Sequence, residues 1–264
     1  MTLNSRNTAI LWVCVLFFGG SGIYYTARYW EDNRYLEEEV VERILNGTET
    51  PSGKVEKISK YVYGKLRVGS TVERVGFYYN PLFWLVKATP RQVADYGGEC
   101  GDLTRLAVAL LRLSDVKARR VHLYSEKGLL LPLKEAYVHA VMEAWVEERW
   151  VVADPTMGWL FTRPDGKGAA VEDLENGDLL ASQAGGTYDL EIQNFQEVRR
   201  VRWSKFPFGE WIYGMVKRLC GKPFADGVAY PYWAERPSLI FAGLFTFAGF
   251  GLAVMFLLVR VRDC

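Results

Sequence analysis

Gly98-Glu99-Cys100-Gly101-Asp102, followed by Leu103-Thr104-Arg105-Leu106-Ala107-Val108-Ala109-Leu110-Leu111, is the segment from which the rest of this chain can be read. The Gly97-Gly98 pair breaks the chain just before the cysteine. Leu103, Leu106, Ala107, Leu110 and Leu111 then recur at i, i+3, i+4, i+7 and i+8, one apolar stripe of a helix with a buried face. Cys100 therefore falls in the first turn of that helix. Unpaired backbone N–H groups and the helix dipole favour a thiolate there.

Two strand-like runs lie downstream, Tyr137-Val138-His139-Ala140-Val141-Met142-Glu143-Ala144-Trp145 and Trp150-Val151-Val152-Ala153-Asp154. If Val146 pairs with Arg149 across a two-residue turn, Glu143 faces Val152 and Val141 faces Asp154. Side chains alternate along a strand, so His139, Val141 and Glu143 share a face with Val152 and Asp154. His139 and Asp154 become diagonal neighbours, about 7–8 Å apart at the backbone, a gap their side chains can bridge. A cysteine at a helix start, with a histidine and an aspartate on one sheet face, forms a Cys-His-Asp nucleophile set. Singly, each residue has a plainer reading as a small buried thiol, a core histidine or a turn aspartate; the combination favours the triad. Glu99, Asp102 and Glu143 oppose it, because carboxylates near a thiol disfavour its ionisation.

Three groups of residues in this order resemble the core of the transglutaminase-like superfamily. They are Gly97-Gly98-Glu99-Cys100-Gly101-Asp102-Leu103 with its helix and Val116-Lys117-Ala118-Arg119, then Tyr137-Val138-His139-Ala140, then Trp150-Val151-Val152-Ala153-Asp154-Pro155-Thr156. The resemblance covers about 89–155, and reaches back to Gly53 with the helix suggested by Val55, Ile58, Val62 and Leu66. It implies an α+β fold, a papain-like core whose Cys helix packs on an antiparallel sheet. It also implies a thioester mechanism with Cys100 as nucleophile, His139 as acid–base partner and Asp154 as the group orienting it. The acceptor would be an amine, as in transglutaminases, or water, as in deamidation and proteolysis, and the family includes inactive members. Family members often add an oxyanion donor upstream of the cysteine, for which Trp84 and Tyr96 are candidates. The large calcium-dependent members carry further domains and acidic loops that have no counterpart here, so no metal and no cofactor is expected.

Around this core the sequence divides into five parts: a membrane-spanning helix at 7–27, a juxtamembrane helix and linker at 28–52, the domain at 53–198, a basic, aromatic juxtamembrane segment at 199–236 that includes Arg199 and Arg200, and a second spanning helix at 237–260. Asn7–Ala27 and Pro237–Val259 are free of charges and long enough to span a bilayer as helices. Tyr24, Tyr25, Tyr29 and Trp30 follow the first, and Tyr230, Tyr232 and Trp233 precede the second, as interfacial belts do. The first run lacks a good small-x-small cleavage site, which favours an uncleaved anchor over a signal peptide. Two spans make a two-pass membrane protein. An N-terminal anchor ahead of an enzyme-like domain places that domain outside the cytoplasm. Gly249 and Ala253 would permit close packing of the second span on a partner helix. That is the basis of an alternative, a non-catalytic scaffold in a membrane assembly.

Half of the 264 residues are apolar, and the net charge is +1. Neither points to a nucleic-acid partner; the expected partners are the bilayer, a protein or cell-envelope peptide substrate, and other membrane proteins. The four cysteines form no paired framework, although a Cys100–Cys220 disulfide would block the nucleophile. His122, on a strand-like run over 119–124, reads as structural and lacks company as a metal ligand. Glu31–Leu45 reads as a charged helix ended by Asn46-Gly47, within a sequon completed by Thr48. Pro51-Ser52-Gly53 reads as a break, 77–86 as irregular, and Thr89-Pro90 as the start of a short helix to Tyr96. Residues 162–186 read as a long loop, with or without a short helix at Val171–Leu174. Phe208, Trp211, Ile212, Met215, Val216 and Leu219 form one face of a helix near Lys217 and Arg218. That helix either lies in a membrane interface or packs on the domain.

Overall fold

The computed structural model describes residues 5–47, 49–68, 88–125, 136–184, 187–189, 193–203 and 208–262. The chain forms two compact units, one from 35–232 and one from 1–34 with 233–264. The expectations for 77–86, Thr48 and Trp84 lie outside the described residues.

The first unit begins within helix α1 (Ser5–Leu36), which runs without interruption into a π-helical turn at Glu37–Val41 and then α2 (Glu42–Ile44). No break separates the apolar run from the charged helix expected at 31–45. The wider π turn brings the adjacent Val40 and Val41 both into the domain core, beside Leu36. Helix α3 (Pro51–Tyr63) starts where a break was expected. Thr50 caps it by accepting from the Gly53 N–H, and Pro51 takes the first helical position, where no N–H is needed. Helix α4 (Pro90–Tyr96) has the same Thr-Pro start and a full capping box between Thr89 and Gln92. Helix α5 (Cys100–Leu113) follows as predicted, with Leu103, Leu106, Ala107, Leu110 and Leu111 fully buried.

The sheet comprises β1 (Ala118–Ser125), β2 (Ala136–Val146), β3 (Arg149–Asp154), β4 (Trp159–Leu160) and β5 (Val198–Arg199), antiparallel throughout in the order β4-β3-β2-β1-β5. Strands β2 and β3 pair as expected, with Val146 opposite Arg149 and Glu143 opposite Val152. Glu147 and Glu148 make the two-residue turn, at φ 50° and 62°, the left-handed pair that a tight hairpin requires. The two sheet faces bury different residues. Met142, Ala144, Val146, Val151 and Ala153 pack with α3, α4 and α5. Val121, Leu123, Val141 and Val152 pack on the other face, with Phe161, Leu174, Leu180 and Phe195.

In that second layer the short helix expected as one alternative at Val171–Leu174 is present, and a second helix follows it where a loop was expected. Helices α6 (Val171–Leu174) and α7 (Asp178–Ala184) lie there, and Val171, Leu174, Leu180 and Ala184 are buried. Both helices are too short for periodicity to settle them, and their packing comes from the sheet face beneath. The boundary drawn at 198 falls inside β5. Arg199, read as part of a membrane-proximal basic segment, is instead buried between Tyr124 and Tyr213, its guanidinium 4.5 and 4.0 Å from their ring centres. Arg200 is bonded to Glu143. Helices α8 (Gly209–Cys220) and α9 (Lys222–Gly227) complete this unit.

In the other unit, α1 and α10 (Pro237–Arg262) are both long and apolar enough to cross a membrane. They pack on each other. A Cβ at Gly22 would lie 2.5 Å from Thr246 Oγ1, and one at Gly249 would lie 3.2 Å from the Gly19 nitrogen. Tyr25 stacks on Phe245 at 5.6 Å, and Trp12 meets Phe256 at 5.2 Å. Gly249, read as a site for a partner helix, thus serves contact within the chain.

Candidate active site

The site lies at a corner of the sheet. The β2–β3 ladder ends at Met142 opposite Ala153, and Pro155, which has no N–H to donate, follows Asp154. Beyond that point the Ala140 carbonyl accepts instead from Thr104 Oγ1, at 3.0 Å. The same hydroxyl lies 2.7 Å from the carbonyl of Cys100, one turn back in α5. Thr104 therefore ties the cysteine's turn of helix to the residue next to His139. A bulge at Val138 shifts the β1–β2 register between Tyr137 and His139, the kind of irregularity that re-aims a side chain beside a site.

Cys100, His139 and Asp154 come together. His139 is hydrogen-bonded to Cys100, and its Nε2 lies 2.8 Å from Asp154 Oδ2. With Nε2 donating to the carboxylate, Nδ1 is the nitrogen left for sulfur. His139 is 5% and Asp154 0% exposed, so this ionic chain works in a medium of low dielectric, where charges interact strongly. Burial pushes the His139 pKa down. Hydrogen bonds to Asp154 and Cys100, with the charges of both, more than reverse this and raise it to about 10. Burial likewise pushes Asp154 up, but His139, Thr156 and Tyr188 hold its carboxyl below the ordinary value.

Two residues that the sequence reading did not single out complete the carboxylate's shell. Thr156 donates twice to Asp154 Oδ1, from its backbone N–H at 2.7 Å and its hydroxyl at 2.5 Å. Tyr188 donates to Oδ2, and its ring meets the His139 imidazole edge-on at 5.6 Å. Burial and the Asp154 charge raise the Tyr188 pKa well above its usual value, so it remains a neutral donor. Thr156, in the motif Asp154-Pro155-Thr156, was legible as an Asx-type turn. Tyr188 was not, because it is distant in sequence and reaches the site only through the packing of Trp159 and Phe161 around it.

The carboxylates that opposed a thiolate are compensated. Asp102 pairs with Arg105 at 2.5 Å, and the Arg105 guanidinium also donates to the Ala88 carbonyl. Glu143, though on the His139 face, binds Arg119 at 2.5 Å and Arg200 at 2.6 Å. Glu99 is exposed. No disulfide joins Cys100 to Cys220. Tyr96 is 56% exposed at the end of α4, and Trp84 lies outside the described residues. His122 is buried with Nδ1 3.3 Å from the Arg199 carbonyl. Among the described residues no group of three or more His, Cys, Asp or Glu side chains is arranged to hold a metal ion.

A Thr104→Val variant keeps the shape of the side chain and removes the hydroxyl whose single proton serves the two carbonyls. It is expected to cost about 1–2 kcal/mol of stability and to slow the chemistry at Cys100 beyond what that loss explains. Denaturant titration beside the alkylation rate of Cys100 in folded protein reads the two effects separately.

Residues 38–155 match the family model described as the transglutaminase-like superfamily, so the chain carries a domain of that superfamily, joined to two helices capable of crossing a membrane. The match begins in the π-helical turn, ahead of the Gly53 limit of the resemblance, and ends just past Asp154. No curated protein and no solved structure matches the chain.

Proposed function

We propose that this chain is a membrane-anchored, transglutaminase-like cysteine acyltransferase or hydrolase, acting on amide or peptide bonds of protein substrates through a thioester. The observation that carries this reading is the buried relay in which one imidazole contacts Cys100 and Asp154 together. With Asp154 ionised beside it, His139 holds a proton at neutral pH, and an imidazolium next to a thiol favours the thiolate. The sulfur attacks the amide carbonyl carbon, and the carbonyl π electrons move to oxygen. The backbone N–H of Cys100, at the first residue of α5, is the donor we assign to that oxyanion. As the tetrahedral species collapses, the C–N bond breaks and His139 gives its proton to the departing amine. An amine or water then attacks the thioester, His139 takes its proton, and the Cys100 thiolate leaves. Protein or cell-envelope peptides on the outer side of the membrane are the substrates this anchoring favours.

The test is the alkylation rate of Cys100 against pH, with Cys14, Cys220 and Cys264 replaced, in the presence and absence of His139→Ala. At pH 6, well below the ordinary thiol pKa of about 8.5, labelling is expected to be about tenfold faster than that of a free thiol and to fall to the free-thiol rate in the variant. Equal rates with and without His139 would remove the resting ion pair, and with it the basis for assigning catalysis.

A further inference from the structure

Helix α8 is anchored by one side only. Tyr213 is buried, donates to Asp226 Oδ1 at 2.7 Å and lies under the Arg199 guanidinium; Gly209 is buried near it on the same side. The large apolar residues point elsewhere. Phe208 is 82%, Trp211 67% and Leu219 74% exposed, and Met215 is also exposed. At 100° per residue these four fall within one sector, turned well away from Tyr213. Phe224 adds a further exposed ring from α9. Phe208 also holds φ +59° as the residue preceding the helix, a conformation unfavourable for a bulky side chain. A domain that left this stripe in water would be presenting an interaction site.

We infer that this face of α8 lies in the membrane interface, so that the transglutaminase-like domain rests on the bilayer as well as being tethered to it. This inference rests on the anchoring part of the functional reading. Two features favour lipid over a protein partner. Arg218 is exposed at the border of the apolar sector, a positive charge complementary to anionic headgroups, whereas Lys217 lies on the other side of the helix, over the Tyr213 ring. Along the chain, α9 is also followed within ten residues by α10, one of the two helices able to cross a membrane, so the short connection limits how far α8 can lie from a bilayer that α10 spans. Arg199 and Arg200 do not contribute, since both are engaged inside the domain. Aromatic and aliphatic side chains on such a helix settle about 5–10 Å into the headgroup–acyl boundary.

The experiment uses the full chain in phosphatidylcholine–phosphatidylglycerol nanodiscs, with all four native cysteines replaced. Single cysteines at Trp211, Met215 or Leu219 carry an environment-sensitive fluorophore, and shallow doxyl-labelled lipid serves as quencher. Gly214→Cys is the control on another side of α8, where an added Cβ meets nothing within 4 Å. Leu244→Cys, on an exposed part of α10, reports whether the apolar helices are in the membrane. Blue-shifted emission and quenching roughly twofold or more above the Gly214 control are expected at 211, 215 and 219 for a helix seated at that depth. Quenching at 244 with none at the α8 sites overturns the inference and leaves the anchoring intact. A blue shift at the α8 sites without lipid quenching means that protein covers the face, and also overturns it. No quenching anywhere removes the anchoring and this inference together.

Discussion

Replacing Asp154 with alanine is expected to destabilise the domain by about 3–5 kcal/mol, the usual cost of removing one member of a buried charge pair. The carboxylate is fully buried and accepts from His139, from Thr156 twice and from Tyr188. Its loss strands all of these donors and leaves His139 without its counter-charge. Asp154→Asn keeps the volume and removes only the charge, so it separates folding from chemistry. In that variant the His139 pKa should drop towards 6.5, and the high-pH limit of Cys100 reactivity should move to lower pH. The wild-type linkage has a definite sign. His139 is raised from 6.5 to about 10, so its contribution to stability is complete below pH 6.5 and is lost as pH rises towards 10. Asp154 is lowered from 3.8, so its contribution is present above that pH and is lost as pH falls through the lowered folded-state value. Urea midpoints measured from pH 3 to 10 should therefore fall on both sides of a plateau between about pH 4 and 6.5. A midpoint that stays level between pH 7 and 10 would contradict the ionic relay.

Gly97→Ala is expected to cost about 3–5 kcal/mol, combining backbone strain with overpacking. Gly97 ends α4 at φ +72° and ψ −178°, a region open essentially to glycine alone. A Cβ there would lie 2.3 Å from the Lys65 carbonyl oxygen, so both the backbone conformation and the space refuse it. The same crossing places the Cys helix. Gly98 donates to the Lys65 carbonyl and accepts from the Arg67 N–H at 3.0 Å, which fixes the chain two residues before Cys100. Cys100 reactivity should therefore fall along with stability. Gly214→Ala is the matching control. It lies within α8 with nothing near an added Cβ, and should be neutral or stabilising by up to about 1 kcal/mol. Equal chemical-denaturation midpoints for the two variants would show that the crossing does not constrain the fold.

The juxtaposition of Cys100, His139 and Asp154 was legible because each sits on an element with its own local signature. The α5 stripe gives the helix and its start, and alternation through the Glu147-Glu148 turn gives the His139 and Asp154 face. The Thr-Pro start of α4 was equally readable. The same pair at Thr50-Pro51 was read as a break, because the proline was weighed without the cap before it. Helix α6 was readable only as one of two alternatives and α7 carried no signal; both cover the Val121, Val141 and Val152 face.

By itself, the sequence determined the α+β class, the order of the site motifs, the β2–β3 register and two helices able to cross a membrane, all of which rest on periodicity, turn chemistry and composition within a few residues. Only the tertiary structure decided how the site is held. Thr104 bridges Cys100 and Ala140, Tyr188 reaches Asp154 from beyond the matched family segment, and Arg105, Arg119 and Arg200 neutralise the neighbouring carboxylates. Apart from the helical neighbours Asp102–Arg105 and Cys100–Thr104, these partners are distant along the chain, and no local pattern encodes them. They are chosen by burial, because a charge or hydroxyl taken out of water must find its counterpart wherever the packed chain supplies one.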